Sequence, residues 1–236
     1  MLRSPEITPV CHYNRQNRRT VSNSVFELVL ITVTALWLVS CLKNISTTPW
    51  SWLSLPAVLI GAALLPAVIR GEKPAAISLN PDKIGYSLKL LAITSLVLFP
   101  IAFGGLLLLR SLGTSFPLIP IIEKGSWVNW ILYQFMYVAV AEEIFFRRYM
   151  LGNLLQLETK LSIRNPGLWQ WITVGISAAA FALAHVILLD NLLSVLTFFP
   201  ALVMGWLFVR TRSLLAPVLF HGLANSFYAI TAMILV

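Results

Sequence analysis

Trp127-Val-Asn-Trp-Ile-Leu-Tyr-Gln-Phe-Met-Tyr-Val-Ala-Val-Ala-Glu142-Glu143-Ile-Phe-Phe-Arg147-Arg148-Tyr-Met-Leu151 is the stretch whose reading decides the fold. At 1.5 Å per residue it is long enough to cross the roughly 30 Å of a bilayer core as a helix. Two adjacent carboxylates and two adjacent guanidiniums sit near its end. Such groups are costly in hydrocarbon, so they face a protein interior or a wet cavity and commonly carry function. Glu143 and Arg147 are four apart, share a helix face and can pair. Glu142 points about 100° away. With no cationic partner within a turn of its own helix, it needs a group from another helix or a water. Arg148 fits an interfacial side chain whose stem lies along apolar surface while its head reaches water.

Working outward, the whole chain has this character. Of 236 residues, 58% are hydrophobic and 11% charged, and the mean hydropathy is +0.83. Soluble domains lie far from that composition. Apolar segments are expected near 25–42, 50–69, 87–109, 127–151, 169–189, 192–209 and 214–235. Backbone groups in lipid must be satisfied within the segment, so each is expected to be helical. The expected fold is all-α, a polytopic membrane helical bundle of about seven transmembrane helices. Residues 1–24 read as a polar cytoplasmic tail, 25–126 as peripheral helices and loops, and 127–236 as a core. The linker 70–86, with Gly71, Pro74, Pro81 and Gly85, is the one internal boundary expected. Residues 116–122 are apolar but short and proline-rich, and read as an outer-surface or re-entrant piece.

The formal charge of +8 raises the question of nucleic acid. The basic residues lie between apolar runs and not on one stripe, which argues against such a partner. With the N-terminus inside, fourteen of the seventeen fall in inner segments, leaving Lys43, Arg110 and Lys124 outside. That bias predicts an N-in, C-out chain; the expected location is a bacterial cell membrane, as a multi-pass protein. Cys11 and Cys41 then lie on opposite sides, so no disulfide is expected between them. Leu38-Val-Ser-Cys41 resembles a lipoprotein cleavage box, but Glu27 and Trp37 fit a signal core poorly, and the first helix is expected to be retained.

Two further runs place polar groups in apolar segments. Phe181-Ala-Leu-Ala-His185 lies among Gly175, Ser177, Ala178, Ala179, Ala180, Ala182 and Ala184, small residues that let helices approach closely. His221-Gly-Leu-Ala-Asn225 puts an imidazole and a carboxamide on one helix face. Each motif alone reads equally as packing: a structural ion pair, a hydrogen-bonded core histidine, an interhelical polar clamp. Together, polar groups on three helices need one another in hydrocarbon.

In these three motifs the chain resembles the CPBP family (CAAX prenyl endopeptidase and bacteriocin-processing, Abi-type) of intramembrane glutamic proteases. The family pattern Glu-Glu-x-x-x-Arg, Phe-x-x-x-His, His-x-x-x-Asn is met by Glu142, Glu143 and Arg147, by Phe181 and His185, and by His221 and Asn225. The likeness covers roughly 127–230, including the lead-in from Gly205 to Pro217. It implies an endopeptidase acting on a membrane-associated peptide or protein, by CAAX-type, leader-peptide or sorting-peptide processing. Glu142 and His185 would hold and activate a water. His221 and Asn225 would donate to the oxyanion. Glu143, Arg147 and Phe181 would support them. No cofactor is implied. Two histidines and a glutamate are also a zinc ligand set, though no His-Glu-x-x-His spacing is present. The competing readings are a non-catalytic membrane chaperone or immunity protein that keeps the polar cluster for packing, and a small proton-relay transporter.

One expectation conflicts with a shared site. With these boundaries Glu142 and His221 lie roughly 10 Å from the inner face and His185 roughly 24 Å from it. They meet only if the fifth helix starts below the membrane surface or the segment ends differ.

Overall fold

A computed structural model describes residues 21–45, 51–71, 81–113 and 126–235. The described residues form seven helices. They are α1 (Val21–Ile45), α2 (Ser51–Ile69), α3 (Ile84–Ser111, after one 3-10 turn at Pro81–Lys83), α4 (127–161), α5 (Pro166–Leu189), α6 (Phe198–Thr211) and α7 (Leu215–Leu235). No strand occurs among the described residues. The fold is the expected all-α bundle. Five helical stretches, one of them Leu192–Thr211 that ends in α6, are long and apolar enough to cross a membrane; α2 and α4 are not among them.

Several boundaries differ from expectation. α1 begins at Val21, inside the stretch read as tail, and carries Cys41 as a half-buried free thiol within a continuous helix. Cys11, residues 1–20 and the 116–122 piece lie outside the described residues. The sixth segment begins as a 3-10 run, Leu192–Thr197, before α6. Pro200 thus falls in the first turn of α6, where a missing N–H costs nothing. Asn191 opens the run, its Oδ1 accepting from the Leu193 N–H at 2.9 Å.

The largest difference is in α4. It continues ten residues past Leu151, through Gly152–Leu161. The turn that ends it has Ser162 in the left-handed region at φ +50°, with the Ile163 N–H bonded to the Glu158 carbonyl at 3.2 Å. This is a usual way to close a helix end. Asn165 caps α5, accepting the Leu168 N–H at 3.1 Å, with Pro166 at the first helical position. Trp169 Nε1 donates to the Leu154 carbonyl at 3.1 Å and pins the start of α5 to the extension of α4.

Packing then places the rest. α5 lies on α6 and α6 on α7, while α2 covers residues 140–151 of α4 and α3 backs α7. Phe99 of α3 stacks on Phe220 and Phe227 of α7, with ring centroids 5.5 and 5.0 Å apart. Two glycines mark close approaches. A Cβ on Gly205 would lie 2.9 Å from Val174 Cγ1, and one on Gly222 would lie 2.5 Å from the Phe135 ring. Backbones come this near only where a side chain is missing. The centre is filled by Phe145, Phe146, Leu151, Met204, Leu207 and Leu214.

Candidate active site

α4 is not uniform. Gln134–Ala139 and Ile144–Leu151 are π-helical, leaving Val140–Glu143 as one α turn between them. π turns shift the backbone bonds to i→i+5 and are frequent at functional sites. Ser177 Oγ of α5 donates to the Phe146 carbonyl at 2.8 Å, inside the second π stretch. This bond ties α5 to α4 beside the carboxylates.

The α4–α5 hairpin resolves the depth conflict. Glu142 lies nineteen residues before the end of α4, and His185 lies nineteen residues after the start of α5. On antiparallel neighbours, equal counts from the turn put two residues level. The conflict arose from ending the fourth segment at Leu151, where polar Asn153, Gln156, Glu158 and Lys160 begin to break the apolar run.

Glu142, His185 and His221 converge from α4, α5 and α7. Glu142 Oε2 lies 3.9 Å from His185 Nε2 and 3.8 Å from His221 Nε2. Neither separation is a hydrogen bond. Glu142 Oε2 is buried and has no hydrogen-bond partner. Beside it is a cavity of about 10 Å³ lined by Glu142 and His185. That is about the space one water needs, and polar groups held just beyond 3.5 Å are commonly bridged by one. The other walls are apolar: Leu36 and Val39 of α1, Leu59 of α2, Phe146 of α4, Ala184 and Leu188 of α5.

The outer nitrogens of both histidines are engaged. His185 Nδ1 lies 3.0 Å from the Phe181 carbonyl. A carbonyl only accepts, so Nδ1 carries the proton, and in the neutral ring Nε2 faces the cavity as an acceptor. His221 Nδ1 lies 3.0 Å from Glu143 Oε1. Glu143 Oε2 is 3.0 Å from Arg147 Nε, and both side chains are fully buried. That contact is an ion pair whose N–H is poorly aimed, since neither atom completes a hydrogen bond. Arg147 Nη2 donates to the Ala201 carbonyl of α6 at 3.1 Å. Glu143 therefore accepts from His221 on one side and faces Arg147 on the other, a fixed arrangement spanning α4, α6 and α7.

Phe181 is the apolar hub of the cluster. Its ring stacks on His185 at 4.3 Å, meets His221 edge-on at 5.6 Å and Phe146 at 5.1 Å, and carries the Arg147 guanidinium 4.7 Å above its centroid. One side chain thus orients both imidazoles and offers a π face to the buried cation.

Six of the seven residues singled out from the sequence come together in this way. Asn225 sits one turn beyond His221, and its Nδ2 donates to Gln134 Oε1 at 2.8 Å rather than reaching the carboxylate. Gln134 was missed. Its signal was a carboxamide in an apolar span two turns before Glu142, which needs a polar partner as much as the charges do. Arg148 is half-buried and its Nε has no hydrogen-bond partner. Among the described residues no group of three or more His, Cys, Asp or Glu is arranged to hold a metal ion.

Residues 124–227 match the family model of Rce1-like type II CAAX prenyl endopeptidases. No curated protein and no solved structure matches the chain. The matched residues contain all three motifs, so the resemblance to CPBP proteins is borne out over this part of the chain. At the level of the family, the match supports a CAAX-type intramembrane protease acting on a membrane-associated protein or peptide. With five apolar helices of spanning length, it also supports an integral membrane protein.

Proposed function

Starting from the Rce1-like pattern of residues 124–227, we propose that this chain hydrolyses a peptide bond with a water activated by Glu142. The observation that carries the reading is the buried, unpartnered Oε2 of Glu142 facing two imidazole Nε2 atoms beside a cavity the size of one water. A water there would donate one hydrogen to Glu142 Oε2 and the other to His185 Nε2. Its lone pairs would remain free for a carbonyl carbon.

The steps follow from that placement. As the water oxygen bonds to the carbonyl carbon, its proton passes to Glu142, and the carbonyl oxygen becomes an oxyanion. The C–N bond then breaks, and Glu142 returns the proton to the leaving amine. His221 donates to the oxyanion from Nε2 as an imidazolium, with Nδ1–H held on Glu143. Asn225 Nδ2 has a second N–H beyond the one given to Gln134, and this is its available donor. Glu143, Arg147 and Phe181 are positioning residues. The unit carrying this chemistry is 127–236, with the N-terminus on the cytoplasmic side as the basic bias suggests.

The test compares membrane-associated peptides by mass spectrometry from cells carrying the native chain or Glu142→Gln at matched expression. The near-isosteric variant is expected to fold and to accumulate uncleaved precursors, which also name the substrate. Identical profiles, with the native chain shown to act in those cells, would replace this reading by the non-catalytic one.

A further inference from the structure

The cavity beside Glu142 and His185 has walls from two sources. Phe146 and Ala184 belong to the segment that matches the family, and they are fixed. Phe146 packs edge-on to Phe145 and Phe181 at 5.0 and 5.1 Å, and Ala184 is buried on α5. Leu36, Val39 and Leu59 belong to α1 and α2, outside the matched residues. Val39 and Leu59 are themselves buried. The carbon wall they add lies outside the residues that match the family model, whereas the polar wall lies within them.

A reacting carbonyl must come within about 3.5 Å of the attacking water. The substrate side chains flanking that bond, on its carbonyl side and on its amine side, then have to lie against the cavity walls. In about 10 Å³ there is no room for them beyond the water, so wall side chains must give way. α1 is the less enclosed wall: 22% of its apolar span is buried in the protein, against 39% for α5.

We infer that Leu59 and Val39, with Leu36, select the substrate by the size of the side chain beside the cleaved bond. The inference rests on the proposed hydrolysis and adds to it where specificity resides. An apolar pocket of this kind discriminates about 10- to 200-fold per methylene. Shortening a wall residue admits a larger substrate side chain without touching Glu142, His185 or His221.

The test uses the full chain in proteoliposomes and an equimolar mixture of four prenylated peptides. They differ only in the residue after the prenylated cysteine: Ala, Val, Leu or Phe. Products are counted together by mass spectrometry, so the ratio of Phe to Ala peptide cleaved does not depend on how much protein is folded. Leu59→Ala and Val39→Ala are expected to raise that ratio about tenfold or more. Ile101→Ala, on an exposed face of α3, is expected to leave it unchanged. Cleavage with unchanged ratios in both wall variants overturns the inference alone and means the hairpin swings clear of bound peptide. No cleavage of any of the four by the native chain overturns the inference together with the CAAX-type reading beneath it.

Discussion

Two ion pairs in this molecule use the same kinds of groups and differ in everything else. Glu27 and Arg70 join α1 to α2 at 2.7 Å, with a quarter of each side chain in contact with the surroundings. They line a groove of about 390 Å³ whose other walls are mostly apolar. Glu143 and Arg147 pair at 3.0 Å with no exposure at all, while Glu143 Oε1 reaches His221 on α7 and Arg147 Nη2 reaches Ala201 on α6. The outer pair fastens a hairpin. The inner pair has poor hydrogen-bond geometry and leaves Arg147 Nη1 without a partner. Burying two charges costs several kcal/mol each before their attraction is counted, and imperfect geometry does not recover it. An arrangement that is costly for stability, yet aimed at an imidazole, is better explained by what it does to His221 than by what it adds to the fold.

The comparison breaks most sharply with one substitution made at each site. Arg147→Met leaves Glu143 buried without its cation. The expected cost is about 3–5 kcal/mol, read as a loss of monodisperse protein in detergent and a fall in thermal midpoint. Equal stability of Arg147→Met and Arg70→Met would end the distinction between the pairs.

A double change sharpens it. Glu143→Leu with Arg147→Met replaces the buried pair by apolar side chains, which is often neutral or favourable to stability. The double variant is expected to regain most of the thermal midpoint lost in Arg147→Met. Cleavage of the precursors that accumulate with Glu142→Gln is expected to fall by about two to four orders of magnitude. Losing the orienting carboxylate of an imidazole has effects on that scale elsewhere. Recovery of both stability and cleavage would make the pair purely structural.

The sequence reached some of this and not the rest, and the boundary is physical. Glu143 beside Arg147, with Glu142 turned away, follows from helix periodicity alone, because both residues are on one element. Phe181 with His185 is legible for the same reason. The convergence of α4, α5 and α7 was an inference from the cost of polar groups in lipid, and it needed a resemblance to gain order. Hydropathy misplaced the end of α4, since it stops at the first polar residues and not where the helix stops. The π turns left no mark in the pattern of apolar residues. Partners across helices, Gln134 for Asn225, Ala201 for Arg147 and Ser177 for Phe146, depend on relative rotation and depth, which no one-dimensional period encodes. The closure of the cavity by Leu36, Val39 and Leu59 is of that kind too, since leucines and valines of a membrane helix look alike whether they face lipid or a reacting group.

Smaller effects test how the two regions are joined. Ser177→Ala removes the hydroxyl that holds α5 to the Phe146 carbonyl. A single hydrogen bond of this kind is worth about 1 kcal/mol. A shift in thermal midpoint is expected, with a drop in cleavage that exceeds it, since the bond keeps His185 level with Glu142. A change in stability with cleavage per folded molecule untouched would show that the hairpin holds its register without it.

The smallest effect belongs to the outer pair. Arg70→Met removes a contact that is partly screened, so the expected change lies within about 0–1 kcal/mol, and it should shrink further in high salt. Cleavage per folded molecule should stay unchanged, because Glu27 and Arg70 lie well along the hairpin from Leu36, Val39 and Leu59, on a different wall of α1. If Arg70→Met instead altered which side chains are accepted beside the cleaved bond, the hairpin would be transmitting its outer contacts to the cavity wall. α1 and α2 would then be a part of the site that moves, and the contrast between the two pairs would become a coupling between them.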